Sequence, residues 1–107
     1  MNPDRVRDLL DSVRRGVLDP DAALEQLARL PFVDVPDARV DTHRALRTGL
    51  PEVIFAPGKT ARQVADIAVA LRDAGHRVLV TRLDPPCAEQ VCARLAAGEY
   101  DPVARTL

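Results

Sequence analysis

Aromatic side chains are nearly absent from this 107-residue chain, which has one Tyr, two Phe and no Trp. A core must therefore be built from Leu, Val, Ala and Ile, and there are too few rings for the stacking platforms that hold single-stranded nucleic acid. No uninterrupted apolar run approaches the roughly 20 residues of a membrane span. The start M-N-P-D-R-V-R-D lacks the apolar centre of a signal peptide, so a cytoplasmic chain without membrane partners is expected. Cysteine is limited to Cys87 and Cys92. Five residues apart in a helix, they stand roughly 140° apart around the axis, which suits neither a disulfide nor a metal site. Free thiols, buried or half-buried, are the expectation.

A chain this short buries roughly two-thirds of the surface its unfolded form exposes, enough for one modest core and no second catalytic domain. The formal net charge of −1 hides a step along the sequence. Up to Asp37 there are eight carboxylates against Arg5, Arg7, Arg14, Arg15 and Arg29, a local net of −3. Between Arg39 and Arg62, five cations (Arg39, Arg44, Arg47, Lys59, Arg62) face only Asp41 and Glu52, a local net of +3. A basic patch on a nearly neutral chain points to a local anionic ligand.

Val6, Leu9, Leu10, Val13 and Val17 recur at helical steps, which predicts an amphipathic helix from about Pro3 to Arg15, ended by Gly16. A second helix follows, with Asp19 as N-cap, Pro20 at the first position and Ala23, Leu24, Leu27 and Leu30 on its apolar stripe, until Pro31 closes it. The pair forms a helical hairpin whose apolar faces should be covered by the rest of the chain.

That remainder reads as β-α-β-α with parallel strands, so the fold class is α/β: an N-terminal helical hairpin followed by a small β-α-β-α unit. The first strand is expected at Glu52–Ala56, broken by Pro57-Gly58 before a helix over Ala61–Ala74. Thr60 with Gln63 makes a capping box, and Gly75 stops the helix. Arg77–Thr81 is the second strand, followed by an N-cap at Asp84 and a helix entered through Pro85-Pro86, with Val91, Leu95 and Ala96 inward until Gly98. Two parallel strands are too few to stand alone. A third is expected near Ala38–Asp41, or else docking against another domain's sheet. Thr42 to Gly49 is left unassigned, with a helical turn carrying Arg44 and Arg47 as one option. The segment 99–107, E-Y-D-P-V-A-R-T-L, reads as a linker leading onward, which gives a domain over 1–98 divided into a hairpin (1–31) and the β-α-β-α unit (38–98).

Two constellations carry chemistry. The run E-V-I-F-A-P-G-K-T before a helix invites a phosphate-loop reading, because backbone amides at a helix N-terminus together with a Lys suit a phosphate. The nucleotide-hydrolysing pattern G-x-x-x-x-G-K-T fails at its first position, occupied by Val53. A simpler phosphate contact at Gly58, Lys59 and Thr60 competes with a plain capped turn. In the second constellation, Arg44 and Arg47 offer planar forks for phosphate or carboxylate, with Asp41 placed to hold one of them; a solvated charged face with an intrahelical Asp41–Arg44 pair is the bland alternative. His43 has no ligand-spaced companion and reads as a surface residue, and His76 reads as a helix-end residue beside Gly75.

The run from Leu30 to Thr60, L-P-F-V-D-V-P-D-A-R-V-D-T-H-R-A-L-R-T-G-L-P-E-V-I-F-A-P-G-K-T, resembles the N-terminal region of the LarB family, the pyridinium-3,5-biscarboxylic acid mononucleotide synthases. V-L-V-T-R at Val78 to Arg82 and the closing Y-D-P-V-A-R-T-L extend the resemblance, and the helical hairpin is its least specific part. D-x-x-R-x-x-R-x-G-x-x-E-V-I together with G-K-T is its specific core.

The resemblance implies an enzyme that carboxylates the pyridinium ring of nicotinic acid adenine dinucleotide, with CO2 or bicarbonate as second substrate. The same enzyme hydrolyses the phosphoanhydride and releases AMP, on the way to the nickel-pincer cofactor of lactate racemase. It also implies a following domain, similar to aminoimidazole ribonucleotide carboxylase, that bears the nucleophilic cysteine, and a homo-oligomer for the full-length enzyme. Neither Cys87 nor Cys92 corresponds to that thiol, so the chain reads as a fragment, a separated gene half or an excised domain, with no catalytic residue and no cofactor of its own. Substrate anions would meet Arg44, Arg47, Lys59 and Thr60, with Asp41 and Glu52 orienting the cations. Under a rival reading the Arg face makes interdomain salt bridges, and under a third the chain is a free-standing small-anion-binding module.

Overall fold

The computed structural model describes residues 3–28 and 32–107. Helix α1 spans Pro3–Arg14 and α2 spans Pro20–Leu27. Asp19 caps α2 as its sequence requires, its carboxylate accepting the Asp21 N–H at 3.0 Å. Leu30 and Pro31, expected to end this helix, lie outside the described residues. Among the described residues of the hairpin only Leu9 and Ala23 are buried, while Leu10, Val17 and Leu24 are 57%, 75% and 63% exposed. The expectation that the rest of the chain would cover the hairpin's apolar faces is therefore corrected. The radius of gyration, 15.9 Å, exceeds the about 13 Å of a compact domain of this length.

Strand β1, Phe32–Val35, pairs antiparallel with β2, Ala38–Asp41, in the register Val33↔Val40 and Val35↔Ala38. The Ala38–Asp41 strand exists as expected, but its partner is β1 and not the parallel sheet. Asp37 closes the turn with a φ of 66°, a conformation Asp tolerates better than most residues. Helix α3, Arg44–Thr48, occupies the segment left unassigned and ends at Gly49 in the left-handed conformation.

Strands β3, Ile54–Phe55, and β4, Val80–Thr81, pair in parallel and are shorter than their sequence patterns suggested. Between them runs α4, Ala61–Asp73, with the Thr60–Gln63 capping box formed in both directions. At its end the Gly75 N–H donates to Arg72 O and the His76 N–H to Leu71 O, a Schellman closure that needs the positive φ of Gly75. Helix α5, Pro85–Arg94, stops before Gly98, so Leu95 is buried but Ala96 is exposed.

The segment 99–107 does not run outward as the linker reading expected. Val80 and Leu107 exchange backbone hydrogen bonds of 2.7 and 3.0 Å, the Leu83 N–H donates to Arg105 O, and Asp101 bridges to Thr106. The tail thereby covers the free edge of β4 and supplies the third extended segment that two parallel strands needed. The Tyr100 hydroxyl donates to the Leu83 carbonyl and fixes the start of this return. One core unites the unit: Val40, Ile54 and Val80 from the strands meet Val64, Ala68 and Leu71 of α4 and Val91 of α5. Asp66 on α4 and Arg94 on α5 tie the two helices at 2.6 Å.

Candidate functional site

The six residues singled out by sequence fall into two places. At the corner between β2 and α3, the Asp41 carboxylate accepts the His43 N–H at 3.0 Å, a local turn that ends the strand and starts the helix. This brings Arg47, one turn into α3, onto the other oxygen of Asp41. Glu52 joins from the following loop, its Oε2 accepting the Asp41 N–H at 3.1 Å. Asp41, Arg47 and Glu52 are thus one cluster, built around a carboxylate whose side chain is only 13% exposed.

Burial alone would raise the Asp41 pKa. The hydrogen bonds from Arg47 and the His43 amide, with the Arg47 charge, outweigh it and hold the carboxyl below its ordinary value. Beside it His43 is half-buried, not a surface residue, and burial, its largest cause, lowers its pKa. Arg44, also on α3, is exposed, and its guanidinium has no hydrogen-bond or ion-pair partner among the described residues, although its carbonyl accepts from the Thr48 hydroxyl. The cluster holds one guanidinium in place and leaves another open to an incoming anion.

The second place is the turn from β3 to α4. Gly58 takes a φ of 80°, the Lys59 N–H donates to Ala56 O at 3.0 Å and the Lys59 ammonium folds back onto Phe55 O at 2.7 Å. The Thr60 and Gln63 amides are each taken by the other's side chain. A phosphate would have to displace these bonds, so the capped-turn geometry accounts for Gly58 and Thr60. No hydrogen bond or ion pair among the described residues links this turn to the Asp41 cluster.

Parallel pairing puts a further cation at the same end of the sheet as Lys59. Arg82, the residue after β4, has a φ of 53°, and its guanidinium stands 5.6 Å from the centre of the Phe55 ring. Arg105 from the returning tail pairs with Asp84 at 3.2 Å. Neither arginine was singled out by pattern. The signal for Arg82 was the rule that ligands of parallel sheets gather at the carboxyl ends of the strands; Arg105 had no local signal.

Between the helical hairpin and the α/β unit lies a cleft of about 540 Å³, lined among others by Arg5, Val35, His43, Val69 and Arg94. Of the Asp41 neighbourhood it includes Thr42 and His43, and none of the six residues singled out by sequence. Below it, His76 is buried with Nε2 at 2.8 Å from the Thr42 carbonyl, so the end of α4 supports the β2–α3 corner. Among the described residues, no group of three His, Cys, Asp or Glu side chains could hold a metal ion. Cys87 and Cys92 are both free and half-buried.

Fold and clusters define a small α/β domain that presents cations at the β2–α3 corner and at the carboxyl end of its parallel strands. The chain matches no curated protein. The model of the LarB/PurE-like N-terminal domain family matches residues 32–107, and the chain belongs to that family. The match begins at β1 and takes in the returning tail, leaving the hairpin α1–α2 outside.

Proposed function

We propose that this chain is the N-terminal part of an enzyme that carboxylates the pyridinium ring of nicotinic acid adenine dinucleotide and hydrolyses its phosphoanhydride to release AMP, in the cytoplasmic biosynthesis of the nickel-pincer cofactor of lactate racemase. Membership of the LarB/PurE-like N-terminal domain family is the observation that carries this reading. The chain's contribution is to hold substrate anions. Arg44 is the first candidate because it is exposed and its guanidinium is without a partner among the described residues, while Arg47 is preset by Asp41, itself bonded by Glu52 through its backbone. Lys59 joins them by leaving the Phe55 carbonyl, and Thr60 keeps its capping role. The ring chemistry belongs to an aminoimidazole ribonucleotide carboxylase-like domain acting as partner in a homo-oligomer, with CO2 or bicarbonate as the second substrate.

Calorimetric titration of the 107-residue chain with nicotinic acid adenine dinucleotide, repeated with Arg44→Ala, tests the anion role. Saturable binding that weakens about tenfold or more in the variant is the expected outcome. No heat from a chain that is folded by circular dichroism would remove the substrate contacts from this domain.

A further inference from the structure

Parallel sheets are normally covered on both faces. Here Ile54, Ala56 and Val80 face the core under α4 and α5, while Val53, Phe55 and Leu79 are 53%, 51% and 45% exposed. The pairing of Ile54 with Val80 sets Val53 beside Leu79, with Phe55 next along its strand, so the three form one apolar patch on the uncovered face. Cations border it: Arg82 lies over Phe55, and Arg77 precedes Leu79 by two residues. Neither has an ion-pair partner among the described residues.

A matching surface exists on α2. Leu24 is 63% exposed, and from Asp19 to Leu27 the chain carries Asp19, Asp21 and Glu25 with no base. Asp21 and Glu25 lie one helical turn apart beside Leu24, and neither is in an ion pair among the described residues. The hairpin cannot place its own α2 on the patch, because Arg5 fastens α1 to the Ala74 carbonyl at the end of α4, which covers the opposite face of the sheet.

We propose that the uncovered face of the β3–β4 sheet receives α2 from a second copy of this chain, Leu24 entering beside Val53, Phe55 and Leu79 while Asp21 and Glu25 meet Arg77 and Arg82. A two-fold axis repeats the contact, each copy giving a helix and taking one. The repetition brings the buried area towards the about 1,000 Å² of a specific interface, which one short helix does not reach. Charge complementarity sets which helix docks, and apolar burial supplies the adhesion.

Sedimentation equilibrium of the 107-residue chain tests this. A concentration-dependent dimer that weakens as salt rises is expected. Leu24→Asp and Phe55→Asp should each weaken association by about tenfold or more while circular dichroism stays unchanged. Mixing the two variants should restore part of the association, because an intact helix on one then meets an intact face on the other. Should either substitution unfold the chain, Glu25→Lys and Arg82→Glu take their places on exposed side chains. A monomer at every concentration overturns the proposal. So does a dimer sensitive to Phe55→Asp but indifferent to Leu24→Asp, which would mean a face-to-face contact.

Discussion

The α/β unit from β1 to the tail and the helical hairpin before it are held by different means. In the unit, residues far apart in sequence, Val40, Leu71, Val80 and Val91 among them, close on one another until little or none of their surface remains in water. In the hairpin two short helices bury Leu9 and Ala23 among their described residues, and α1 reaches the unit with Arg5, which donates to Ala74 O at 3.3 Å. Both regions are rich in good helix formers. What separates them is that the unit's helices have a sheet to bury their stripes against, and burial rather than propensity stabilises helices this short.

That contrast is open to measurement. Leu71→Ala, at a site with no exposure, should cost about 2–5 kcal/mol in urea unfolding, whereas Leu9→Ala in the hairpin should cost under about 2 kcal/mol. Equal costs would mean that the hairpin is as much a part of the core as α4. Gly75→Ala should cost about 1–2 kcal/mol, because a side chain resists a φ of +85° and the new Cβ would approach the Arg5 guanidinium to 3.0 Å. A smaller cost for the same change in an Arg5→Ala background would show how much of the penalty comes from the hairpin contact. Thr60→Ala removes one half of the capping box and should lower stability by about 1 kcal/mol, read as a shift in thermal midpoint.

The smallest expected effect is on acid stability. Asp41 and His43 both bind protons more weakly in the folded chain than their ordinary values of 3.8 and 6.5. The unfolded chain therefore takes up protons first as the pH falls, and stability drops below about pH 6.5 through His43 and again below about pH 4 through Asp41. Asp41→Asn should flatten the lower of these two steps in unfolding midpoints measured against pH, leaving the upper one. A variant that keeps both steps would remove Asp41 as the source.

Much of the local structure was written in short signals. Asp19-Pro20, Thr60 with Gln63, and Gly75 mark helix ends through hydrogen bonds that their own neighbours complete, and these ends lie where the sequence placed them. That Asp41 would hold a neighbouring guanidinium was legible in the same way, but the sequence pointed to Arg44, three residues on, and the turn into α3 brings Arg47 instead. Glu52 could be suspected, but its bond to the Asp41 amide depends on the loop after α3. The charge of Lys59 is visible in the sequence, but the Phe55 carbonyl that receives its ammonium is not. Arg82 became noticeable only when parallel pairing carried it to the Lys59 end of the sheet.

By itself, the sequence determined helices α1, α2, α4 and α5, the caps of α2 and α4 and the α/β class, since each depends on contacts within a few residues; α3 was not legible, and Asp84, placed as the cap of α5, makes no side-chain capping bond and pairs with Arg105 instead. Tertiary structure alone decided that β2 pairs with β1, that the last three residues return to the edge of β4, and that the sheet keeps one face uncovered. A two- to four-residue strand exposes the same row of donors and acceptors to any partner, so its neighbour is selected by which arrangement of the whole chain buries Val40, Val80 and Leu107 together.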